Sequence, residues 1–243
     1  MKRLRRLPLS AAALAFLQMR TAAVVAAPKR RATARKLWKQ QSDATFAEMR
    51  RVLAAMAPGV SHCMYCETSE ATPIDHFRPK VRYPRLAFRW ENLLLACSTC
   101  NSNYKRDEFP RDAQGRRLLI DPTRDDPRKH LGLSPGTGDY VGLTPRGTES
   151  IRVFGLQRGT LTRSRRDAWG SVEGLILRYA GAMRRADAVR ALDSQRDLCR
   201  FPHASVFEAL LDVATSPTAA HYIDPDCLAA LAAHPEIRGW ASP

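Results

Sequence analysis

Two Cys-x-x-Cys pairs, Cys63/Cys66 in "CMYC" and Cys97/Cys100 in "CSTC", stand 30 residues apart. One such turn brings two thiolates close enough to share an ion, and two turns complete a tetrahedral four-sulfur set suited to Zn2+. That site is closed to water, so its zinc would be structural and would add folding energy to a segment with little core of its own. The gap between the pairs must therefore contain structure. Within it lies "PIDHFRPK", carrying Asp75 and His76, and directly after the second pair come Asn101 and Lys105. Each has an ordinary structural role open to it. Asp75 could pair with Arg78 or Lys80, His76 could be a hydrogen-bonded core imidazole, and Asn101 could cap a turn. Their coincidence between matched cysteine pairs points to chemistry instead.

The elements that must hold these residues are short. Leu93 to Ala96 suits a strand, and Thr99 to Arg106 suits a helix with Asn101 and Lys105 one turn apart on one face. Residues 1–57 read as basic and helical. Leu37, Trp38, Phe46, Met49, Val52, Leu53 and Met56 recur there at mostly helical spacing. Pro58-Gly59 then breaks the chain. Residues 58–112 form the cysteine-bearing module. From residue 113 to 159 the chain is rich in Pro, Gly and Asp, and "SIRVFGL" alternates well enough for one strand. Beyond it helices return, with Trp169, Val172, Leu175, Ile176 and Tyr179 on one face. A further helix starts after Asp224-Pro225, a favoured opening. The fold class expected is α+β, mostly helical, in three regions: 1–57, 58–112 and 113–243.

Lys+Arg number 39 against 24 Asp+Glu, a net charge of +15 with a pI near 10.2. Such a field favours polyanions, nucleic acid above all. Arg78, Lys80, Arg82, Arg85, Lys105 and Arg106 flank the candidate site and suit phosphate contacts. Tyr83, Phe88 and Trp90 among them read as a small core beside the zinc. The clusters Lys29–Lys39 and Arg163, Arg165, Arg166 could extend the contacts or be solvated faces. The first residues imitate a secretory leader, but Arg20 interrupts the apolar run. A helix packed on the body is preferred, and no run approaches the ~20 residues of a membrane span. Paired cysteine spacing points to a reducing, cytoplasmic setting, with Cys199 and Cys227 as small buried residues. No Walker motif is present.

Cys-x-x-Cys, Asp-His, Asn-Leu, then Cys-x-x-Cys-Asn with Lys four residues on resembles the HNH nuclease family over residues 63–106. The resemblance implies a ββα-metal core of two strands and a helix. It implies His76 as general base, Asp75 and Asn101 as ligands of a catalytic Mg2+ or Mn2+, and Asn92 as the brace of the loop that orients the histidine. Lys105 falls where relatives carry a final His or Lys, and a phosphate contact is expected of it. "YPRLAFRWENLLLACSTCNSNYKRDEFP" and "LLIDPTRDDPRKHL" resemble a bacterial subgroup that includes the HNH components of Septu-type and retron-linked anti-phage systems. That likeness implies an ATPase partner and a nucleic-acid target, DNA before RNA, with tRNA a further candidate. The competing reading is a zinc-stapled nucleic-acid-binding module without catalysis. A leader-bearing secreted nuclease is the third.

Overall fold

The structure, a computed structural model, describes residues 1–40, 44–68 and 70–241. Three helices open it: α1 (Ala11–Ala26), α2 (Arg30–Lys39) and α3 (Ala44–Met56). Ser10 caps α1, its hydroxyl accepting from Ala13 N. The apolar positions expected of this region do turn inward: Trp38 from α2, and Phe46, Met49, Val52, Leu53 and Met56 from α3 are buried. No helix among the described residues is long and apolar enough to cross a membrane.

Next comes a two-stranded antiparallel hairpin. β1 (Ile74–His76) pairs with β2 (Leu93–Leu95) in the register Ile74–Leu95, Asp75–Leu94, His76–Leu93. A π-helix (Thr99–Lys105) follows directly. All three β2 leucines are buried, so this strand is core on both faces. The ββα order and the mostly helical α+β class are as the sequence implies.

The connector contains a second hairpin, β3 (Leu131–Leu133) with β4 (Tyr140–Gly142). The strand expected of "SIRVFGL" is absent. Those residues belong to helix α4 (Pro145–Val153) and the turn after it. Thr144 caps that helix by accepting from Gly147 N, and Pro145 fills its first turn. A cap-Pro start thus outweighs a short alternating pattern.

Four further α-helices follow among the described residues: α5 (Gly159–Arg184), α6 (Ala188–Arg200), α7 (Ala204–Val213) and α8 (Pro225–Ala233). Buried apolar residues form one cluster running from Met1 to Leu161 and another from Ala168 to Ala241. The N-terminal helices therefore share a core with the cysteine module, and α5 to α8 form their own. Two local expectations fail here. Cys199 is exposed on α6, while Cys227 is buried. Arg165 is buried on α5 and donates to the Gly138 and Leu156 carbonyls, so Arg163 to Arg166 is not one phosphate-facing run.

Candidate active site and metal centre

The four paired cysteines converge. Their sulfurs lie within 4.8 Å of one another, and all four residues are buried. Cys66 and Cys97 Sγ are 3.8 Å apart. A zinc–sulfur bond of about 2.3 Å in a tetrahedron gives sulfur–sulfur edges of about 3.8 Å. The thiols therefore fit one four-coordinate ion. Each turn is locally built: Glu67 N donates to Cys63 O at 2.8 Å, and Asn101 N donates to Cys97 O at 2.9 Å. Met64 N donates to Leu95 O at 3.0 Å, tying the first turn to β2. From the position just before α5, Arg158 Nη1 reaches Cys100 Sγ at 3.6 Å and places positive charge against the sulfurs.

Glu67, directly after the first pair, is buried and carries a φ of 65°. Its backbone carbonyl accepts from His203 N at 3.0 Å, and its carboxylate accepts from the Ser205 hydroxyl. Both partners sit at the start of α7.

His76 is 4% exposed at the end of β1. Its Nε2 lies 3.0 Å from Ala87 O. A carbonyl only accepts, so Nε2 carries the proton and Nδ1 is the ring's lone-pair atom. Burial, with Lys80 beside the ring, lowers the imidazole to about 3, so it is neutral at physiological pH. The loop after it is braced by Asn92. That side chain accepts from Arg78 N at 2.8 Å and donates to Arg78 O at 3.1 Å and Leu86 O at 3.0 Å. Trp38, from α2, meets the imidazole edge-on with ring centroids 4.2 Å apart.

Successive strand residues face opposite ways, and Asp75 accordingly turns away from the His76 ring. Its Oδ2 accepts from Tyr65 OH at 2.6 Å, and its Oδ1 accepts from Lys105 Nζ at 3.0 Å. Lys105 is fully buried and also donates to His76 O at 2.8 Å. It is an internal counter-charge, not the exposed phosphate contact expected of it. Asn101 is half-buried at the beginning of the π-helix. Asp75 and the His76 ring thus have separate hydrogen-bond partners, Tyr65 and Lys105 for the carboxylate and Ala87 O for the imidazole, while Asn101 lies on the π-helix after the second cysteine pair. As arranged, Asp75 offers no free carboxylate to a divalent ion. The carboxylate charge is already balanced, and an added cation would stand against a buried ammonium. Of the basic candidates, Arg82, Arg85 and Arg106 are exposed, and Arg78 and Lys80 half-buried. Phe88 and Trp90 are core residues, as expected.

The Asp75–Lys105 pair carries a testable stability effect. Lys105→Met leaves a carboxylate buried without its cation, which costs about 3–5 kcal/mol. Adding Asp75→Asn removes the orphaned charge, so the double variant recovers much of that loss in urea unfolding. Losses that simply add would show that the two side chains are not a mutually neutralising pair.

Trp38, Tyr65 and Arg158 escaped the sequence reading because each lies outside the motif or looks like ordinary core. Only the helical register of residues 37–56 hinted that Trp38 faces inward.

Residues 63–107 match the family model described as HNH endonuclease. The chain is also 32% identical over 133 residues to the Septu protein PtuB of Bacillus mycoides (strain KBAB4). That match covers 42% of this chain and 45% of the relative, so it spans less than half of either. The family match falls on the same stretch that the paired cysteines, the β1–β2 hairpin and the π-helix fold together, and it makes residues 63–107 an HNH endonuclease domain.

Proposed function

We propose that the whole chain is an endonuclease that hydrolyses phosphodiester bonds of nucleic acid, with DNA preferred over RNA, as an effector of anti-phage defence. The observation carrying this reading is His76: a neutral imidazole with one nitrogen fixed on Ala87 O, at the rim of a loop held by Asn92. In that state it takes a proton from water as the oxygen attacks phosphorus. Lys80 and Arg78 on the same loop supply charge for the phosphate oxygens. The likeness to a Septu protein supports a defence setting, and the ATPase partner that gates cleavage rests on the subgroup resemblance of the sequence. We assign Zn2+ to Cys63, Cys66, Cys97 and Cys100, and a cytoplasmic setting that keeps those thiols reduced.

The sequence motif would add Mg2+ or Mn2+ at Asp75 and Asn101. The Lys105 ammonium argues against that placement, so no step is assigned to such an ion here. The test is incubation of supercoiled plasmid and of tRNA with the full chain in Mg2+, in Mn2+ and in EDTA. Cleavage of either substrate is expected. Binding of both substrates without cleavage in any buffer would instead favour a zinc-stapled binding module.

A further inference from the structure

The first 42 residues lie outside the family match, yet they hold most of the protein's excess charge. Residues 1–42 contain eleven Lys and Arg and no Asp or Glu. Folding alone gives no reason to gather so many like charges, since each added neighbour raises their mutual repulsion. Five of the eleven lie on α2: Arg30, Arg31, Arg35, Lys36 and Lys39.

α2 is also the helix that runs along the candidate active-site loop. Arg31, Arg35 and Trp38 follow one another at spacings of four and three, along one side of a helix. Each meets that loop in turn. Arg31 Nε donates to Val81 O at 2.9 Å. Arg35 lies close enough to Lys80 for the two charges to repel. Trp38 stands on the His76 ring. Arg31 and Arg35 are exposed, and neither pairs with a carboxylate among the described residues. With Nε anchored on Val81, the remaining guanidinium donors of Arg31 are available to a ligand. Half-buried Lys80 faces Arg35 and Lys105, with Asp75 and Asp107 as the nearby acids. Asp75 is already committed to Lys105.

We propose that α2 is one wall of the substrate channel, with Arg31, Arg35 and Lys80 binding consecutive phosphates of the nucleic-acid strand presented to His76. This rests on the nuclease reading for its catalytic consequence and on charge and geometry for the contact itself. The contacts reach only phosphate, so they hold the strand in register without reading its bases. Trp38 fixes where α2 sits relative to the imidazole, which makes it a positioning residue.

The experiment measures binding of a fluorescein-labelled 30-base-pair duplex and of a labelled tRNA to the full chain across a salt series. Wild type, Arg35→Ala and Arg31→Ala/Arg35→Ala are compared, with Arg190→Ala on α6 as a distant control. Each lost phosphate contact lowers the slope of log affinity against log salt by about 0.9 on duplex DNA and about 0.7 on single strands. The double variant should lose about twice as much as Arg35→Ala, and Arg190→Ala should match wild type. Arg35→Lys should restore the slope, and where cleavage is seen Arg35→Ala should raise KM more than it lowers kcat. Slopes equal to wild type on both nucleic acids overturn the proposal, whether or not the protein cleaves. Reduced slopes without cleavage by any variant would keep the α2 surface and remove the nuclease reading.

Discussion

His76→Ala lowers the single-turnover rate of phosphodiester cleavage by about 10²–10⁴-fold, the usual contribution of a positioned base. Substrate affinity should change little, because the ring is buried and the phosphate contacts belong to exposed or half-buried basic residues. The pH profile carries the finer test. In the free protein, burial and then Lys80 hold the imidazole near 3. An acid limb in kcat/KM assigned to this base therefore lies far below 6.5. Bound phosphate brings negative charge to Lys80 and stabilises imidazolium, so the acid limb in kcat moves up from there. Two coincident limbs near 6.5 would mean that a solvent-exposed group, not His76, takes the proton. Stability has the matching sign. A folded-state pKa below the unfolded value contributes stability that is complete above about 6.5 and is lost as pH falls toward 3. Burial also drops His203, to about 4, which adds to that acid-side loss.

Removal of the metal has the second large effect. Cys97→Ser, or chelation of the wild type, should unfold the segment around both Cys-x-x-Cys turns. Structural zinc supplies apparent binding energies of about 10–16 kcal/mol in small zinc-finger peptides, and that energy is folding energy. The hairpin cannot replace it, since β1 and β2 are three residues each. Metal analysis of the purified wild type should give one zinc per chain, and Cys97→Ser should give none. Near-ultraviolet circular dichroism should report loss of the packed Tyr65, which stacks on Phe154 with ring centroids 4.0 Å apart. A Cys97→Ser protein with intact zinc and an unchanged aromatic spectrum would refute the four-sulfur centre.

The four-sulfur cluster was legible in the sequence because two thiols at fixed short spacing carry their geometry with them. β2 and the helix after it were legible for a similar reason, an apolar run of four followed by a polar turn, whereas β1 and its pairing came only with the family resemblance. Lys105 was not. In "NSNYKRD" it sits among polar and charged neighbours, and only Asp75, 30 residues away on another element, explains why it turns inward. The π-helix contributes, since Arg106 N bonds back five residues to Asn101 O at 2.7 Å. This wider turn sets Lys105 off the face that a regular helix would give it relative to Asn101. Asp75 and His76 were read as neighbours acting together, and their separate partners, Tyr65 and Lys105 for the carboxylate and Ala87 O for the ring, carried no signal in the sequence. The role of α2 was hidden for want of any motif. A basic helix looks like a solvated face until its contacts show which loop it follows.

Glu67 gives the helical layer beyond residue 160 a mechanical meaning. A glutamate at a φ of 65° prefers to relax, and the grip of His203 and Ser205 on its backbone and carboxylate restrains it. Displacing the first turn of α7 would thus tug on the residue next to Cys66. The C-terminal helices are consequently a lever attached to the sulfur cage, since the first turn of α7 holds the residue that follows Cys66.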